Sequence, residues 1–157
     1  MAEELIVASG GKVERYEVLA AQVEALLAGE DDVVANMANV AAMIHHTFDF
    51  WWTGFYRVVE GELILGPFQG PLACSRIGYG RGVCGTAWKE GRTVVVEDVE
   101  QFPGHIACSS LSRSEIVVPL WRGEEVVGVL DIDSRELATF DDVDARWLER
   151  IVGMMRL

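Results

Sequence analysis

Two cysteines sit in polar, glycine-rich stretches: Cys84 in Gly80-Arg81-Gly82-Val83-Cys84-Gly85-Thr86 and Cys108 in Gly104-His105-Ile106-Ala107-Cys108. A structural cysteine normally lies in an apolar strand or helix and stays inert, whereas a thiol beside exposed backbone amides ionises more readily. The glycines before Cys84 are read as baring amides at a short helix N-terminus, where they lower the thiol's pKa and can receive a carboxylate. The second chemical group is acidic. Alternation along Val127, Val129, Asp131 and Asp133 puts both aspartates on one face at the end of an apolar strand. Close carboxylates repel, so one of them can hold a proton near neutral pH. Glu115 lies opposite Asp131 on that face if the turn is the three-residue loop Arg122-Gly123-Glu124. A two-residue loop would send it to the other side; three residues are expected.

Other motifs carry less. Gly80-x-Gly82-x-x-Gly85 matches a dinucleotide fingerprint, but the helical stretch after it, from about Val83 to Lys89, is too short for a crossover between parallel strands. His105-x-x-Cys108 invites a zinc reading, yet no Cys-x-x-Cys pair completes a ligand set, so no metal is expected. His45-His46 closes a helix, where a favourable interaction with the C-terminus explains it. Trp51, Trp52, Phe55 and Tyr56 cluster on one strand; alternation lets Trp52 and Tyr56 share a face, away from Trp51 and Phe55, and line a pocket for a methyl or thioether group.

The elements that must hold these groups are legible from periodicity. Val13, Tyr16, Leu19, Val23 and Leu26, then Val33, Met37, Val40 and Ile44, predict two amphipathic helices split at Gly29-Glu30-Asp31. A third helix is predicted after Thr139-Phe140-Asp141-Asp142, which resembles a capping box, with Val143, Trp147, Ile151 and Met154 on one stripe. One hairpin joins Trp52 to Val59 with Leu63 to Leu65 through Glu60-Gly61-Glu62, and another joins Glu115 to Trp121 with Glu125 to Asp133. Thr93 to Val96 adds a short strand. Strands in mid-chain with helices at both ends give an α+β domain with an antiparallel sheet.

Composition narrows the field. The chain has 157 residues, half of them apolar, which suits one domain with a sizeable core. Its net charge of -12, from 13 Lys+Arg against 25 Asp+Glu, argues against nucleic acid as a partner. The absence of a long apolar run and of a basic flank at Met1-Ala2-Glu3-Glu4 points to the cytoplasm and away from membranes. Three cysteines cannot all pair within one chain, and a reducing compartment favours redox or catalytic use of them.

With these residues in hand, the chain resembles the free methionine-R-sulfoxide reductases, small single-domain GAF proteins. The matching stretches are Trp52-Thr53-Gly54-Phe55-Tyr56, Leu65-Gly66-Pro67-Phe68-Gln69-Gly70, Gly80 to Ala87, Gly104 to Cys108, Ser114-Glu115-Ile116-Val117 and Gly128 to Ser134. The resemblance implies a single GAF domain over 1–157: N-terminal helices over 1–47, sheet and active-site loops over 52–134, and a C-terminal helix over 139–157. It implies a central antiparallel sheet of about six strands, with terminal helices on one face and a loop-covered ligand pocket on the other. It further implies reduction of free L-methionine-(R)-sulfoxide to L-methionine, with thioredoxin as electron source, no metal or organic cofactor, and a homodimer. In family terms Cys108 looks like the attacking thiol and Cys84 the resolving one, joined as the redox disulfide, with Cys74 a spare resolving thiol. Glu115, Asp131 and Asp133 resemble substrate-binding acids. Asp133, backed by Asp131, is assigned the sulfoxide oxygen and Glu115 the ammonium group, two roles open to exchange.

Overall fold

The computed structural model describes residues 4–105 and 111–157. Six strands form one antiparallel sheet in the order β3-β2-β1-β6-β5-β4. They are β1 Trp52–Val59, β2 Glu62–Gln69, β3 Arg76–Gly78, β4 Val94–Val96, β5 Ser114–Arg122 and β6 Glu125–Ser134. The helices are α1 Lys12–Ala28, α2 Val33–Phe48, α3 Gly82–Glu90 and α4 Asp142–Gly153.

Period-two alternation divides the sheet between two cores. Phe55, Ile116, Leu130 and Ile132 point to one face, where Tyr16, Leu19 and Val23 of α1, Val40 and Ile44 of α2, and Leu148 and Ile151 of α4 cover them. Their neighbours Tyr56, Val117 and Val129 point the other way and pack with Trp52, Val83, Cys84 and Ala87 beneath α3. The three longer helices therefore sit on one face, as the sequence suggests, and the opposite face is left to α3 and loops.

Polar contacts fix the helical layer. Asp141 caps α4 by accepting from the Val143 and Asp144 amides, and the Asp144 carboxylate accepts from the Asp141 amide in return. The cap thus falls at Asp141, two places beyond the predicted Thr139 start; the Thr139 hydroxyl is engaged with Ser134 Oγ at 2.6 Å instead. Asp144 is almost fully buried and also accepts from Tyr16 Oη and Lys12 Nζ, each at 2.6 Å, which ties the two ends of the chain together.

The second hairpin departs from its predicted register in an instructive way. Arg122 pairs with Glu125, leaving the two-residue loop Gly123-Glu124 rather than three residues. Alone, that turn would put Glu115 on the helical face. However, Trp121 pairs with Val126 while Leu120 pairs with Gly128, so Val127 is an extra residue in β6 and the bulge flips the parity back. Glu115 consequently faces the same side as the aspartates, but opposite Asp133, and Val117 takes the place opposite Asp131. The first hairpin is longer than expected, because β2 continues through Gly66-Pro67 to pair Gln69 with Thr53. Pro67 has no N–H for the ladder and sits where the register shifts between Gly54 and Tyr56.

Candidate active site

The face away from the long helices opens into a cleft of about 560 Å³, a volume that includes open solvent at its mouth. Strand pairing builds its floor. Trp52 stands beside Asp133, Gly54 beside Asp131 and Tyr56 beside Val129, and β5 brings Glu115 alongside Asp133. Trp52, Tyr56, Glu115, Asp131 and Asp133 all line the cleft, together with Cys84 from the first turn of α3. Gly54 is required there: a Cβ would stand 2.4 Å from Phe68 Cβ and 2.5 Å from the Trp52 ring, so only glycine lets the indole lie flat over the strand. Trp52 stacks on Tyr56 at 6.0 Å and on Phe68 at 5.2 Å between ring centroids.

The polar tips of the two aromatics have their own work. Trp52 Nε1 donates to the Pro71 carbonyl at 3.0 Å and Tyr56 Oη donates to the Cys74 carbonyl at 2.8 Å. Their rings form the wall, while their tips tie down the segment that carries Cys74.

The acids are desolvated and crowded. Glu115 and Asp131 are buried, and burial first, then repulsion from the neighbouring aspartates, holds the Glu115 carboxyl well above its ordinary range. Asp133 is pushed up strongly by burial and by Asp131, against a 3.0 Å hydrogen bond from Ser112 Oγ that favours its anion. Asp131 is raised by burial too, but hydrogen bonds from Glu115 and Cys84 work the other way, as does nearby His105. Of the three, Asp131 has the most neighbours that support its anion, while Glu115 and Asp133 are the more strongly raised and so favour holding a proton. Even so, Asp131 Oδ1 is shut off from solvent without a hydrogen-bond partner among the described residues.

The cysteines depart from expectation. Cys84 is buried and a free thiol. Desolvation, followed by Asp131 and Glu115, pushes its pKa well above the ordinary value, so the expected thiol-activating effect of the helix start is outweighed. Cys74, read as a spare, is disulfide-bonded. The expected Cys84–Cys108 pairing thus finds Cys84 unpaired, and Cys108 itself lies outside the described residues.

Trp51 also lines the cleft, although alternation would place it on the helical face. It lies in the bend before β1, where strand parity does not apply. The sequence reading did not single out Leu72, Arg81 or Ser112, all of which reach the cleft from irregular segments with no periodic signal. His105, set aside with the zinc motif, belongs here as well, with Nε2 at 3.9 Å from Glu115 Oε1. The N-terminal turn of α3, residues Gly82 to Cys84, has no side-chain cap and borders the cleft.

Comparison with known proteins places this arrangement. A GAF domain family model matches residues 28–155. The GAF domain-containing protein A of Dictyostelium discoideum is 54% identical over 156 residues, 99% of each chain. The free methionine-R-sulfoxide reductase of Escherichia coli (strain K12) is 45% identical over 145 residues, 92% of this chain and 88% of its own. The X-ray structure of the free methionine-R-sulfoxide reductase from Neisseria meningitidis, in complex with its substrate, superposes with a TM-score of 0.94 at 52% identity, covering 96% of this chain and 92% of that one. A single α+β GAF domain whose buried acids, aromatic wall and Cys84 meet in one cleft, matched along nearly its whole length by these relatives, belongs to the free methionine-R-sulfoxide reductase family.

Proposed function

We propose that the protein reduces free L-methionine-(R)-sulfoxide to L-methionine through thiol chemistry, with a thioredoxin as the electron donor. The observation that carries this reading is the meeting of buried acids, raised in pKa, with an aromatic wall and Cys84 in one cleft, whose Tyr56 also holds the Cys74 carbonyl. A sulfoxide needs a nucleophile at sulfur and a proton at oxygen, because expelling bare oxide is prohibitive. The Cys108 thiolate attacks the sulfoxide sulfur while Glu115 or Asp133 gives its proton to the oxygen. The oxygen ends on Cys108 as a sulfenic acid, the S–O bond of the substrate is broken, and methionine leaves.

We assign resolution to Cys74 rather than Cys84. Cys74 is disulfide-bonded and Cys84 is a free thiol, so Cys74 is the described cysteine already engaged in thiol–disulfide chemistry. The Cys74 thiol condenses with the sulfenic acid, releasing water and forming the disulfide. A dithiol of the thioredoxin class then exchanges with that disulfide and carries away the oxidation. The anion of Asp131, whose Oδ1 has no hydrogen-bond partner among the described residues, suits the substrate ammonium, which moves that role from Glu115. The uncapped amides of Gly82 to Cys84 suit the carboxylate. Recognition of both charged ends favours the free amino acid, since a peptide bond removes both charges and leaves the buried acid unpaired.

The test is NADPH oxidation in a thioredoxin-coupled assay with the R and S epimers supplied separately. R-selective turnover that is lost in Cys108→Ser is expected. Cys74→Ser should release about one equivalent of methionine and then stop, while Cys84→Ser should keep cycling. No turnover with either epimer would refute the activity, and continued cycling of Cys74→Ser would return resolution to Cys84.

A further inference from the structure

Cys84 is left without a redox task by this cycle, yet it is buried among acids. Its Sγ and carboxylate oxygens of Glu115 and Asp131 all lie within 4.8 Å of one another. The three residues come from α3, β5 and β6, so the fold rather than local sequence assembles them. Among the described residues no Lys or Arg pairs with Glu115, Asp131 or Asp133; the group within ion-pair distance of Glu115 is the His105 imidazole, which burial disposes toward its neutral form. A separate observation points to a missing cation: the buried Asp131 Oδ1 faces the cleft without accepting any hydrogen bond among the described residues.

We propose that this cleft is also a site for a thiophilic divalent cation, with zinc as the fitting ion, held by Cys84 Sγ, Glu115 and Asp131. Mixed thiolate and carboxylate donors suit zinc, and a tetrahedral ion with bonds of about 2.0–2.3 Å would draw the three donors together modestly. His105 Nε2, at 3.9 Å from Glu115 Oε1, is the nearest imidazole for the fourth position. A hydrated ammonium gains little from a thiol, so Cys84 separates this cation from the substrate's own. On the reading of function above, the ion would occupy the ammonium position at Asp131 and exclude the substrate. Zinc is then an inhibitor of the site and not a participant in the reaction.

The experiment uses the full-length protein with Cys74 disulfide-bonded and Cys84 a free thiol, titrated with cobalt(II) chloride as a spectroscopic stand-in for zinc. A thiolate-to-cobalt charge-transfer band in the near ultraviolet that saturates at one equivalent and is abolished by added zinc chloride is expected. Cys84→Ser should lose the band. Glu115→Gln, which keeps the thiol, should keep the band but weaken cobalt binding by roughly tenfold or more. No band in the wild type, a band that survives Cys84→Ser, or unchanged affinity in Glu115→Gln would each overturn the proposal. Because the titration needs no turnover, a failed activity assay leaves its outcome intact, and its own failure leaves the reductase reading standing.

Discussion

At the residue scale, the site acids oppose the stability of the fold. Glu115, Asp131 and Asp133 all have folded pKa values above their ordinary range, chiefly through burial. Their contribution is most favourable below the unfolded carboxyl pKa of about 4 and is lost as pH rises through the folded values. Neutralising one should therefore help the fold where it harms the chemistry. Glu115→Gln or Asp133→Asn should raise the melting temperature at pH 8 relative to the wild type, with little gain at pH 4, and should cut R-sulfoxide turnover by about 10²–10⁴-fold. A variant equally destabilised at both pH values would contradict the desolvation argument. Tyr56 gives a different signature. Its phenol is pushed upward by burial and then by Asp131, so it stays a neutral donor to the Cys74 carbonyl. Tyr56→Phe should cost about 1 kcal/mol in denaturant unfolding and slow disulfide closure after a single turnover while leaving methionine release in that turnover intact. Rapid-quench thiol counting separates the two steps.

At the element scale, close packing rather than polar contact sets the shape of the cleft. A Cβ on Gly85 would lie 2.5 Å from the Gly78 carbonyl, so α3 sits on the β3 segment at a distance only glycine permits. Gly85→Ala should push α3 off the sheet and cost about 1–3 kcal/mol, read by urea unfolding. Gly54→Ala should instead displace the Trp52 ring, raising KM and shifting tryptophan emission more than it lowers stability. These elements were unequally legible. The two hairpins and three long helices follow from alternation and 3.6-residue spacing, because each has one face against a core. The three-residue β3 carries too short a pattern to read. The pairing of Glu115 was misplaced because its register depends on the Val127 bulge, which leaves no composition signal. The acids and the Trp52–Tyr56 wall were identified from alternation and family resemblance. The state of Cys74 was not, since it depends on a loop held by tertiary hydrogen bonds to Tyr56 and Trp52.

At the scale of the whole molecule, the α1–α4 contact closes the fold through Lys12, Tyr16 and Asp144. Burial pulls Lys12 down, but its pairing with Asp144 and Asp141 outweighs that and leaves it raised; Tyr16 is raised by burial and then by Asp144. Both shifts favour the form present below about pH 10, so their stabilisation is complete there and lost as pH rises through the folded values. Melting temperature should hold through pH 9 and then fall. Tyr16→Phe should melt lower at pH 7, by about 1–3 kcal/mol for the buried Asp144 oxygen left unsatisfied, yet lose less between pH 9 and 11. An unchanged alkaline slope in that variant would exclude Tyr16 as a source of the fall. Among the described residues no helix is long and apolar enough to cross a membrane.

The division of the sheet into two cores, with the long helices on one face and the reacting groups on the other, bears on how such a chain can change under selection. A library screened for survival at high temperature should collect substitutions in α1, α2 and α4, where they alter the lifetime of the fold and leave the cleft untouched. A library screened for growth on altered sulfoxides should collect them around α3 and the segments that flank β3. Because each strand residue commits to one face or the other, gains from the two screens should combine with little interference, save at β5 and β6, where adjacent residues answer to both.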